Sequence, residues 1–65
     1  MDRLEVLFEF RRIGNTVRVS ALDPETGTEV SMVGYPKMGE EALKRAATRK
    51  LLYVLAKRRQ EEKKT

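Results

Sequence analysis

The chain has 65 residues, 14 basic and 10 acidic side chains, a formal charge of +4, and neither cysteine nor histidine. That composition excludes a disulfide scaffold and the thiolate and imidazole ligands of structural zinc, and it removes the commonest nucleophile and general base. One small core must stabilise the fold, because a chain of this size buries only about 60% of its unfolded surface.

Met1-Asp2-Arg3-Leu4 lacks the charged-then-apolar plan of a signal peptide. The longest apolar run, Leu51 to Ala56, is far short of the roughly 20 residues that span a bilayer. These features predict a soluble cytoplasmic protein with no membrane contact.

Leu4, Val6, Phe8 and Phe10 alternate with Glu5, Leu7, Glu9 and Arg11. Period two in β-favouring residues predicts a half-buried strand over residues 3–13. Gly14-Asn15 follows as a tight turn in which both residues can take positive φ. A second strand is expected over 16–22, with Val17, Val19 and Ala21 on one face. Asp23-Pro24-Glu25-Thr26-Gly27-Thr28 is a hairpin loop. Proline pre-sets a type I turn, Gly27 supplies the left-handed residue, and Asp23 bonds backbone amides ahead of it. The third strand is expected over 28–35.

The two turns set the registers independently. If Ile13 pairs with Thr16, Phe10 opposes Val19 and Phe8 opposes Ala21. If Asp23 pairs with Thr28, Ala21 opposes Val30 and Val19 opposes Met32. Both hairpins then place Phe8, Phe10, Val19, Ala21, Val30 and Met32 on one face, and a one-residue slip would expose half of them. The other face is mostly polar, with Leu7, Leu22, Val33 and Tyr35 among the charges.

Pro36 and Gly39 end the strand region, and a helix is expected over 39–59. Leu43, Ala46, Ala47, Leu51, Val54 and Leu55 form one stripe of a 3.6-residue period. Lys50 stands at its edge, where the stem lies on apolar surface and the amine reaches water. Glu40 and Glu41 put negative charge at the helix start, and Lys57, Arg58 and Arg59 put positive charge near its end. Glu40–Lys44 and Glu41–Arg45 are spaced for ion pairs. The predicted fold is α+β: a three-stranded antiparallel β-meander in order 1-2-3 with one C-terminal helix on one face (βββα). Residues 1–59 form the single domain, and 60–65 are expected as a disordered tail.

No catalytic, metal or cofactor motif stands out, and no enzyme is expected. Glu5 and Glu9 occupy exposed strand positions, and Glu40 and Glu41 are accounted for by helix charge. The Gly34–Gly39 connection leads to a helix N-terminus, but the two glutamates repel phosphate there. Two functional readings remain. The first is a protein-interaction module, its partner another protein or a second copy of the chain. It rests on Leu52, Tyr53 and Ala56 behind the helix stripe, on Leu7, Leu22, Val33 and Tyr35 on the open sheet face, and on two unprotected strand edges. The second, weighed lower, is weak nucleic-acid binding through Lys44, Arg45, Arg49, Lys57, Arg58 and Arg59, with Tyr53 as a stacking group. Residues 39–65 carry nine basic and four acidic side chains against five and six in residues 1–38, so the positive charge belongs to the helix and its end.

The βββα order with Leu43-Lys44-Arg45-Ala46-Ala47 resembles the C-terminal two-thirds of a double-stranded RNA-binding domain over residues 15–56. That family grips phosphates with a lysine pair where this chain has Glu40 and Glu41, and its first helix has no counterpart here. The resemblance therefore implies a shared topology and carries over no RNA-contacting residue. Over residues 4–58 the chain is more similar to a family of short, uncharacterised, mostly alphaproteobacterial proteins classed as a domain of unknown function. The segments that carry this likeness are Phe8-Glu9-Phe10-Arg11-Arg12-Ile13-Gly14-Asn15 with Val17, Thr26-Gly27-Thr28-Glu29-Val30-Ser31, and Arg49-Lys50-Leu51-Leu52-Tyr53-Val54-Leu55. That resemblance implies a bacterial cytoplasmic origin and brings no activity or site.

Overall fold

Three antiparallel strands, β1 (Leu7–Ile13), β2 (Thr16–Asp23) and β3 (Thr28–Gly34), lie in the order β1-β2-β3. A short 3-10 turn over Pro36–Met38 leads into one helix, α1 (Glu40–Lys63). The computed structural model describes residues 5–63. Both registers are those that the turns dictate: Phe8 faces Ala21, Phe10 faces Val19, Ala21 faces Val30 and Val19 faces Met32.

The strand and helix limits differ from expectation for local reasons. β1 opens at Leu7, which pairs with Leu22. The next residue of β2, Asp23, is committed to the following loop, so Glu5 and Val6 have no ladder to join; Arg3 and Leu4 lie outside the described residues. At the first turn only Gly14 takes positive φ, at 60°, and among the described residues none other than glycine does. Asn15 therefore does not mirror Gly14, and the turn has the type II′ pattern, with glycine first. β3 stops at Gly34, and Tyr35 is extended at φ −108° before the 3-10 turn. Residues 60–63, expected as the start of a disordered tail, continue the helix to Lys63. Gln60, Glu61, Glu62 and Lys63 are all good helix formers, and each adds a hydrogen bond to a helix already nucleated.

The second loop is built around Asp23. Its carboxylate accepts the Glu25 N–H at 3.1 Å and the Thr26 hydroxyl at 2.8 Å. The Gly27 N–H closes onto the Asp23 carbonyl at 2.8 Å, with Gly27 at φ 76°. Asp23 and Thr28 are 5% and 6% exposed, yet among the described residues no buried side-chain polar atom lacks a partner.

Val19, Ala21 and Val30 of the sheet close the core against Leu43, Ala47 and Leu51 of α1. The helix packs over β2 and β3, so β1 lies to one side of it. Phe8 and Phe10 sit on the core face as the register requires, but they are only half-buried. Gly34 explains part of the offset. A methyl group there would collide with Leu43, so the missing side chain lets the start of α1 settle onto the end of β3.

Candidate interaction surfaces

The open face of the sheet carries Leu7, Glu9, Arg11 and Ile13 from β1, Arg18, Ser20 and Leu22 from β2, and Glu29, Ser31 and Val33 from β3. Its apolar residues do not gather. Leu7 and Leu22 pair at one end, whereas Ile13, Val33 and Tyr35 lie toward the other. Between them is a shallow polar trough of about 310 Å³ lined by Glu9, Arg11, Arg18, Ser20, Glu29 and Ser31. Leu7 and Ile13 are 50% and 53% exposed; Leu22 is half-buried beside Leu7. Ile13 was not among the expected interface residues, although its parity with Leu7 along β1 places it on this face. Met38, in the 3-10 turn, is likewise exposed without any periodic signal to announce it.

Within the trough Arg11 stands directly opposite Arg18, a like-charge pair that opposes the sheet. Arg18 turns away and donates to the Ser31 hydroxyl at 3.3 Å. Arg11 and Glu9 make no hydrogen bond or ion pair among the described residues. Both charges remain unanswered.

The helix distributes the other expected residues over three directions. Arg45, Arg49, Leu52 and Ala56 recur at helical spacing on the outward side, with Arg59 beside them, all exposed. Lys50 reaches the β3 edge and donates to the Ser31 carbonyl at 2.7 Å. Tyr53 and Lys57, three and seven residues on, therefore share the β3 flank, where Tyr53 is 68% exposed. Lys44 leans the other way, over the Phe8 ring at 5.7 Å from its centre. It pairs with Glu41 at 3.9 Å, in place of the Glu40–Lys44 and Glu41–Arg45 spacings anticipated. Arg58 reaches back to the sheet and donates to the Thr28 hydroxyl at 2.6 Å. The Thr28 and Thr26 hydroxyls are hydrogen-bonded at 2.8 Å, so Arg58 clasps the helix to the Asp23 loop. The six cations thus do not converge on one surface. Leu52 and Ala56 face away from the open sheet face that carries Leu7, Leu22, Val33 and Tyr35, and Tyr53 lies on the β3 flank between them, so the expected interface residues do not form one surface.

A family model described as a domain of unknown function, DUF6898, matches residues 3–58. The chain belongs to the DUF6898 family. No curated protein and no solved structure matches it. The matched span of this DUF6898 chain runs from the β1 edge to Arg58, so it takes in the meander, the core and the clasp. No helix among the described residues is long and apolar enough to cross a membrane.

The two edges of the DUF6898 sheet are treated differently. β3 is guarded, since Lys50 occupies the Ser31 carbonyl, and Pro36 stands two residues beyond its last residue, Gly34. β1 has neither device. It runs seven residues without proline, the helix packs mainly on β2 and β3 and reaches β1 with the Lys44 side chain over Phe8, and its aromatic inner face is only half-covered.

Proposed function

We propose that this DUF6898 chain is a non-enzymatic protein-interaction module that binds through the β1 side of its sheet. One observation carries the reading: the β3 edge is capped by Lys50, while β1 combines an unguarded edge with half-buried Phe8 and Phe10. An uncapped strand presents a row of main-chain donors and acceptors, which is the usual basis of strand-addition binding. Phe8 and Phe10 beside it supply the apolar area that such an interface needs at its centre. Nucleic-acid binding draws less support, because Arg58 is engaged by Thr28, Lys44 by Glu41, and the remaining cations point in different directions.

The test compares Arg12→Pro with Leu52→Glu. Arg12 lies near the end of the edge strand, where proline removes an outward N–H without touching the β2 ladder. Association, measured by sedimentation of the whole chain or by retention of a partner from lysate of the encoding organism, is expected to be lost in Arg12→Pro and kept in Leu52→Glu. Circular dichroism verifies that both variants are folded. Loss in Leu52→Glu alone would move the interface to the back of the helix. RNA or DNA binding tighter than about 10 μM at physiological salt, with a log–log salt slope near −3 that Arg45→Ala/Arg49→Ala roughly halves, would overturn the reading.

A further inference from the structure

We infer that the occupant of the β1 edge is a second copy of β1, paired antiparallel about a two-fold axis at Phe10. This inference rests on the reading of β1 as the binding edge and adds the partner and the register.

The main chain selects which residues face outward. Ile13 and Thr16 flank a two-residue turn and pair with each other, so the odd-numbered residues of β1 direct their amides and carbonyls to β2. Those of Phe8, Phe10 and Arg12 point away from the sheet. An antiparallel partner must therefore bond to these three, and the register centred on Phe10 engages all of them in both copies.

The side chains are complementary in that same register. β1 spans Leu7–Ile13, and Phe10 is its middle residue, so all seven residues find a mate. Leu7 meets Ile13 of the second copy, and Glu9 meets its Arg11. Phe8 meets its Arg12, a guanidinium beside an aromatic ring, and the two Phe10 rings meet at the axis. Each relation off the axis occurs twice and the Phe10–Phe10 contact on it once, as an isologous interface requires. The Glu9–Arg11 contact answers two trough charges that have no hydrogen bond or ion pair among the described residues, and it offsets the Arg11–Arg18 opposition across β1 and β2. On the other side of the sheet, the half-buried Phe8 and Phe10 of both copies fill the space between two helices that each lie over β2 and β3. The product is one continuous sheet in the order β3-β2-β1-β1-β2-β3, its outer edges both guarded by Lys50.

Exchange of charge tests the register. Glu9→Arg alone sets arginine against Arg11 twice, and Arg11→Glu alone sets glutamate against Glu9 twice. Each variant is expected to raise the self-dissociation constant about tenfold or more, and an equimolar mixture of the two is expected to form a heterodimer, because both pairs are then opposite in sign. Cysteine pairs check the geometry, since the chain has no native cysteine. Glu9→Cys mixed with Arg11→Cys should cross-link under mild oxidation. Either variant alone should not, because its thiols lie on residues roughly 8 Å apart, beyond disulfide reach. Cross-linking of the single variants at the mixture's rate, failure of the mixture to associate, or a monomer at about 1 mM chain would overturn the inference. A monomer that still captures another protein through β1, with capture lost in Arg12→Pro, would overturn self-pairing while leaving the interaction-module reading in place.

Discussion

Val19 and Ala21 show how few residues hold this fold. Both are fully buried on the central strand, closed over by Leu43, Ala47 and Leu51. With so small a core, Val19→Ala should cost roughly 1–3 kcal/mol, read as a lowered urea midpoint with an unchanged slope. Glu25→Ala is the matched control. Its side chain is exposed, and the N–H that bonds Asp23 belongs to the backbone, so alanine should leave the midpoint where it is. Gly34→Ala is the more informative substitution. The added methyl is aimed at the Leu43 side chain, itself 2% exposed, so that buried side chain or the helix start must shift to admit it. We expect a loss of about 1–3 kcal/mol by the same denaturation measurement, although alanine normally suits a strand no worse than glycine. The sequence offered one cue to this site, a glycine at the end of a strand, where close approach of another element is a common reason for it. Nothing in a linear pattern names Leu43 as the neighbour.

Among the elements, the strands were the most legible. Two turns of fixed length set two registers, and a period-two pattern agreed with both, so the inward residues could be named before any coordinates. The lateral position of the helix could not. The stripe of Leu43, Ala47 and Leu51 says which side of α1 faces the sheet, but it is equally satisfied over β1 and β2 or over β2 and β3. The choice depends on tertiary fit at Gly34 and on two contacts remote in sequence, Lys50 to Ser31 and Arg58 to Thr28. For the same reason Arg58 looked like one more surface cation. Its bond to a buried threonine makes it an anchor for the far half of α1. Arg58→Ala should therefore raise amide exchange over residues 56–63 and leave residues 43–51 protected, while Arg59→Ala, on the outward side, should leave both segments unchanged. Equal exchange in the two variants would deny Arg58 that role.

At the scale of the whole molecule, the off-centre helix leaves the sheet guarded on one edge and open on the other. Part of this was readable in advance, since the scattered apolar residues of the open face and an open β1 edge follow from strand order and parity, whereas the second unprotected edge expected at β3 is instead met by Lys50. That Leu52 and Ala56 lie on a different side of the molecule from Leu7 and Val33 emerges only from the folded arrangement. Self-pairing of β1 covers the outward amides of Phe8, Phe10 and Arg12, which a lone chain leaves to water. Hydrogen exchange of these amides, followed by NMR across a concentration series, tests it directly. Their protection should rise with chain concentration, while Leu7, Glu9 and Arg11, already bonded to β2, stay protected throughout. Exchange of Phe8, Phe10 and Arg12 at open-edge rates at every concentration, with no partner added, would contradict it.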